Sequence, residues 1–215
     1  MKKQCVFKEK NMNTLLRIDS SLRTEKSYSR TLGDYFIRQW KRKNPVNTIL
    51  ERDLTRQPVP HITQQTVNAF FSETPDMESI CFSDELINEL YQCKELLITC
   101  PMYNYGIPSS LKAYFDSVVR TKKTFTGYNS TRKGLLENKK AYIISSMGGI
   151  SHEVRNPLEI HITQLLNHMG VTDISYFPLD GTVDEARIKE KMILQQTEIL
   201  KQLTANETKD YTAIM

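Results

Sequence analysis

Three short stretches of this 215-residue chain gather side chains that packing alone does not require. Ser20, Ser21, Ser27, Tyr28 and Ser29 crowd the first, with Arg23, Lys26 and Arg30 alongside. Hydroxyls next to a helix start, where backbone N–H groups are free and the helix dipole is positive, make a cradle for an anion such as phosphate. Capping by Ser27 is the simpler account, but it needs one serine and the stretch supplies more. The second is Met102-Tyr103-Asn104-Tyr105-Gly106, inside PMYNYGIPSSLKAYFD (101–116). Rings and backbone amides together suit a flat ligand. The third is Ser146-Met147-Gly148-Gly149, where paired glycines let the backbone approach such a ligand closely; a plain turn is the alternative.

Hydrophobic spacing then sets the elements that must position these groups. Apolar runs at 14–19, 47–54, 95–100, 139–146 and 171–179 read as strands. Helical spacing begins near Ser27, and further helices are expected at 83–93, 109–119, 156–169 and 184–203. Ser83 has the type of an N-cap, and Gly170 that of a C-cap. Two segments fall outside the alternation: an insertion at 55–82, and a basic stretch at 120–138 that reads as a hairpin or lid. The domain is taken as residues 14–205, with tails at 1–13 and 206–215. Strand and helix alternate five times, the pattern of a parallel α/β sheet with right-handed crossovers. The expected architecture is a flavodoxin-like three-layer sandwich, its five strands in the order 2-1-3-4-5. In such a sheet ligands bind beyond the carboxyl ends of the strands, between the first and third. All three stretches follow strands at that edge.

The rest of the composition narrows the chemistry. A net charge of +4 lies mostly in solvated runs, so neither nucleic acid nor a membrane is expected as a partner. Cys5, Cys81, Cys93 and Cys100 show no CxxC spacing, and the chain reads as cytoplasmic and reduced. No secretory segment opens it and no apolar run is long enough to span a bilayer. His161 and His168 stand seven apart without further ligands, so no metal is expected. His152 follows the glycine pair, where it either donates a proton or sits at the surface. No Walker sequence and no dinucleotide fingerprint follow the first strand. A hydroxyl cradle without catalytic lysine or metal-binding carboxylate suits holding a phosphate. Phosphate plus a flat ring in this kind of sheet points to FMN.

The ordered set IDSSL, SYS followed by DYF, PMYNYGIPSSLKAYFD and IISSMGGI resembles the FMN-dependent NADH-azoreductase family, over about residues 14–203. The resemblance implies a homodimeric flavoenzyme of the NAD(P)H:quinone oxidoreductase type, with one FMN per subunit. Such an enzyme uses NADH or NADPH to reduce quinones and azo compounds by a ping-pong route. It implies Ser21, Ser27, Tyr28 and Ser29 at the FMN phosphate and ribityl chain. It puts Met102, Tyr103, Asn104 and Tyr105 along the isoalloxazine, and Ser146, Met147, Gly148 and Gly149 at its pyrimidine side. The flavin carries the chemistry, so no catalytic side chain is named. Tyr105 stands where the family often has Phe, and Met147 where it often has a basic or other side chain. Phe70, Phe71, Phe125 and Tyr128, in the two extra segments, are expected to reach the partner's site. Rival readings are another FMN-dependent reductase or a flavodoxin-type carrier, a serine hydrolase built on Ser20 or Ser21, and a non-catalytic binding module.

Overall fold

The computed structural model describes residues 14–128, 131–150 and 156–212. The tail at 1–13 and His152 lie outside the described residues. The chain runs β1 (Thr14–Asp19), α1 (Tyr28–Lys43), β2 (Thr48–Asp53), α2 (Gln64–Phe71), α3 (Met77–Gln92) and β3 (Glu95–Pro101). It continues through α4 (Ser109–Val118), β4 (Phe125–Thr126), β5 (Lys133–Gly134), β6 (Lys140–Ser146), α5 (Pro157–Met169), β7 (Asp173–Leu179) and α6 (Glu185–Thr212). Five strands form one parallel sheet in the order β2-β1-β3-β6-β7. Counted over this sheet alone the order is 2-1-3-4-5, because β4 and β5 form a separate antiparallel hairpin within 120–138.

Strand alternation divides the apolar side chains between the two faces. Leu16, Ile18, Leu96, Ile98, Ala141 and Ile143 pack under α3, α4 and α5. Leu15, Leu97, Tyr142, Ile144 and Phe177 pack under α1 and α6. Cover on both faces is why β1, β3 and β6 read as nearly unbroken apolar runs. Helix α1 buries Leu32, Phe36 and Trp40, four residues apart on one face. Each contributes roughly 1.5–3 kcal/mol, far more than the few tenths that separate most residues in helix propensity. Packing therefore fixes α1 on the sheet, and with it the direction of its N-terminus. Gly33 permits that contact: a Cβ there would lie 2.7 Å from the Thr99 methyl on β3.

Three boundaries differ from the sequence expectation. Helix α3 starts at Met77, capped by Asp76, whose carboxylate accepts from the Glu78 N–H at 3.2 Å. Ser83 is not its cap. It is buried mid-helix and donates to the Ser117 carbonyl, and Arg120 donates to both Ser83 and Asp84, at 2.7 and 2.6 Å. The polar residues that resemble a helix start thus tie α3 to the end of α4. The insertion at 55–82 is mostly α2 and the first turns of α3. Helix α6 runs on to Thr212, well past residue 203.

The Tyr114 hydroxyl is fully buried in the α3–α4–α5 core and has no hydrogen-bond partner among the described residues. Leaving a buried hydroxyl unpaired costs about 1–3 kcal/mol. Tyr114→Phe should therefore raise the midpoint of thermal unfolding by a few degrees. A lower midpoint would mean that the hydroxyl is engaged.

Candidate functional site

The strand register brings the exits of the sheet level with one another. Asp19 pairs with Thr99, Pro101 with Ser146, and Ser146 with Leu179. From adjacent strands β1 and β3 the chain leaves to opposite faces: α1 lies with α6, and α4 with α3 and α5. A cleft opens where such connections diverge. The three stretches singled out in the sequence line it.

Ser20 does not join the cradle. Its hydroxyl is buried and donates to the Thr99 carbonyl at 2.8 Å, closing β1 onto β3. Ser21, Ser27 and Ser29 do come together. The Ser27 hydroxyl donates to that of Ser21 at 3.0 Å and lies 3.3 Å from that of Ser29. Lys26, at φ 52, turns the chain so that Ser27 can cap α1. The cap accepts from the Arg30 N–H at 3.5 Å, a long bond that leaves the oxygen other partners. Capping and cradling are therefore compatible. The Tyr28 ring packs against the α1–α6 core, so this residue offers the cradle its backbone N–H.

Beneath the cradle lies a polar network absent from the sequence reading. The Arg30 guanidinium grips both Asp53 oxygens, at 2.8 and 2.9 Å, and donates to the Ser21 carbonyl at 2.8 Å. The Thr55 hydroxyl reaches that same carbonyl at 2.9 Å. Arg30 also lies 3.4 Å from Asp19. Arg17 pairs with Asp19 at 2.9 Å and with Asp34 at 2.7 Å, and the Thr99 hydroxyl donates to Asp19 at 2.6 Å. Arg30 thus corrects the expectation that its charge faces the cradle: the side chain is turned inward, onto two aspartates. Burial raises the Asp53 pKa, but the Arg30 hydrogen bond and the Thr55 N–H outweigh it and hold the carboxyl at about 2. A signal was available: Arg17 and Asp19 are charges inside an otherwise apolar central strand, and buried charges need partners.

The other two exits are built from backbone. Tyr103 and Gly106 exchange N–H···O bonds of 3.0 Å in both directions. The residues between them, Asn104 at φ 48 and Tyr105 at φ 63, both adopt left-handed geometry, as a type I′ turn requires. For tyrosine that conformation is strained by about 1–3 kcal/mol, a cost that clusters at functional sites. The turn presents the Tyr105 ring to solvent, 86% exposed. Met102 N–H donates to the Ser146 carbonyl at 2.7 Å, joining the exits of β3 and β6. Beyond β6, Met147 donates to the Leu179 carbonyl and accepts from the Thr182 N–H. A Cβ on Gly149 would meet nothing within 4 Å, and one on Gly148 would meet the Val183 side chain alone, at 3.4 Å. The glycine backbone therefore faces open space wide enough for a flat ring.

Among the described residues no group of His, Cys, Asp and Glu is arranged to hold a metal. His168 stacks on Phe125 with ring centres 4.2 Å apart, and burial, with Arg132 nearby, pushes its pKa down. No described helix is long and apolar enough to cross a membrane.

A family described as having a flavodoxin-like fold matches residues 13–203. A Hydrogenovibrio crunogenus protein named FMN-dependent NADH:quinone oxidoreductase is 35% identical over 193 residues, covering 84% of this chain and 95% of its own. A Nostoc protein of the same name is 37% identical over 207 residues, covering 91% of this chain and 100% of its own. An azoreductase structure from Bacillus anthracis superposes with a TM-score of 0.81 at 20% identity, covering 89% of this chain and 99% of that one. An FMN-dependent NADH-azoreductase from the same species, solved in complex with FMN, gives 0.80 at 20% identity, with coverage of 90% and 99%. At such identity the structural likeness speaks for the fold.

The network carries its own acid test. The folded Asp53 pKa lies below that of an unfolded aspartate, so its contribution is complete above about pH 4 and lost as pH falls through about 2. The difference corresponds to roughly 2 kcal/mol. Unfolding by urea at a series of pH values should show the stability gap between wild type and Asp53→Asn shrinking by that amount over this window. A gap independent of pH would contradict the assignment.

Proposed function

From the premise that the chain belongs to the flavodoxin-like family that includes the FMN-dependent NADH:quinone oxidoreductases, we propose that it carries out that reaction. It is an FMN-dependent enzyme that passes two electrons from NADH to quinones and azo compounds, donor and acceptor taking turns at one site. The observation that carries this reading is the cleft itself. A three-hydroxyl cradle at a helix start, a strained aromatic turn and an open glycine backbone converge at the switch point of the sheet.

FMN, when bound, supplies the two-electron transfer. The chain binds, orients and shields it. Ser21, Ser27 and Ser29, with the backbone N–H groups of Tyr28 and Ser29, would take the phosphate. The backbone from Met102 to Tyr105 would lie along the ring, and Ser146, Met147, Gly148 and Gly149 would face its pyrimidine side. Arg30 stays out of contact and holds the Ser21 carbonyl, which keeps the cradle in place before any ligand arrives. Preorganised donors cost no rearrangement when charge develops near them. The hydrolase reading loses ground here, because the Ser20 hydroxyl is directed at Thr99 and that of Ser21 is engaged with Arg23 and Ser27.

The enzyme works as a homodimer. The cleft is open on one side, and Phe71 and Tyr128, 74% and 81% exposed, stand free in the two extra segments. Phe70 and Phe125 are not available for the partner: they stack on Arg120 and His168 of their own chain. A cytoplasmic setting suits the free thiols of Cys81, Cys93 and Cys100.

Light scattering with absorbance detection tests cofactor and assembly together. The purified protein should be yellow, have about twice the chain mass, and release FMN on denaturation. FAD in the released fraction, or a colourless protein that FMN does not reconstitute, would overturn the cofactor. A yellow monomer with full quinone reductase activity would overturn the dimer.

A further inference from the structure

The glycine pair beyond β6 is held mainly from β7 and its exit. Met147 N–H donates to the Leu179 carbonyl at 2.9 Å, Thr182 N–H to the Met147 carbonyl at 3.1 Å, and Gly181 N–H to the Gly149 carbonyl at 2.7 Å. Strand β7 is the edge of the sheet, so it has one neighbour to fix its own position. A side chain adds a further tie. The Tyr176 hydroxyl lies 2.6 Å from the Ser145 hydroxyl and accepts from the Asn156 side-chain amide at 2.7 Å. Asn156 uses its oxygen to cap α5, accepting from the Glu159 N–H at 2.9 Å, which leaves its NH2 for the phenol. The phenol has one proton, and it goes to Ser145. Directions are thus settled for the whole trio.

The trio spans the glycine pair. Ser145 is the penultimate residue of β6, and Asn156 caps the next helix. One phenol therefore sets the spacing between the strand end before the glycines and the helix start after them. Ser145 and Asn156 are both buried, so neither has water in place of the phenol. Burial pushes the Tyr176 pKa up to about 12 against the pull of Ser145 and Asn156, so the hydroxyl keeps its proton in neutral solution.

We propose that Tyr176 is a positioning residue for flavin reactivity: through Ser145 and Asn156 it sets where the Gly148 and Gly149 amides stand against the pyrimidine side of FMN. The inference rests on the FMN reading above. Negative charge grows on that side of the ring on reduction, so well-placed N–H donors favour the reduced cofactor over the oxidised one. Displaced amides lose that preference, and the loss appears in the reduction potential.

The test is a dye-coupled potentiometric titration of the holoprotein, with the FMN dissociation constant measured alongside. In Tyr176→Phe, which keeps the ring and removes the hydroxyl, reduced FMN should lose about tenfold more affinity than oxidised FMN. That ratio corresponds to a midpoint about 30 mV more negative for a two-electron couple. Ser145→Ala, which removes the phenol's acceptor and leaves the tyrosine, should shift the midpoint in the same direction, and it decides the matter if Tyr176→Phe does not fold. Lower thermal stability at an unchanged potential in the folded variants would reduce Tyr176 to a structural role and overturn the proposal. A wild-type protein that takes up no FMN would instead overturn the cofactor reading, and this inference with it.

Discussion

A set of buried charges at the end of β1 governs what the rest of the site can be. Arg17, Arg30, Asp19 and Asp53 are withdrawn from water where β1, β2 and α1 meet, and each is paired within the set. A lone charge there would be costly, and removing one partner of such a pair costs about 3–5 kcal/mol. The pairing therefore fixes more than itself. Arg30 is in the first turn of α1 and Asp53 ends β2, so their two-pronged bond locks the helix start against the sheet edge. The same guanidinium holds the Ser21 carbonyl, which sets the far side of the serine loop. Cradle geometry thus follows from ion pairing one layer below it. The seryl hydroxyls can remain uncharged and directed at a ligand because the charges beneath are already matched.

The two other walls of the cleft use a different device. Each is a short backbone turn stitched to the neighbouring strand, with side chains secondary. The left-handed pair Asn104 and Tyr105 is held by reciprocal bonds between Tyr103 and Gly106, and the glycine pair by bonds from the β7 exit. Such walls tolerate changes of side chain, which fits Tyr105 and Met147 standing where related chains carry other residues. Binding would then rest on main-chain groups, and acceptor preference on the rings and side chains at the mouth.

Much of this was legible in the sequence because the signals were local. Apolar runs in β1, β3 and β6 announced buried strands, and Leu32, Phe36 and Trp40 announced a helix face. The serines, the MYNYG turn and the glycine pair could be placed at one edge because parallel strands all end there. What stayed hidden depends on long-range pairing. Arg30 reads as a free cation near a serine cluster until β2 brings Asp53, 23 residues away, to meet it. Ser83 and Asp84 read as a helix start because their true partner, Arg120, is 37 and 36 residues distant. Tyr176 reads as one more strand residue, since its partners belong to β6 and to the start of α5. Polar residues in apolar surroundings were the common warning in all three.

The claim that an inward-facing Arg30 supports a seryl phosphate cradle is tested most directly by a crystal structure of the protein with FMN. The account predicts the FMN phosphate within hydrogen-bonding distance of the Ser27 and Ser29 hydroxyls and of the first N–H groups of α1, with Arg30 still bound to both Asp53 oxygens. A phosphate lodged elsewhere, or Arg30 swung away from Asp53 to contact it, would contradict the account.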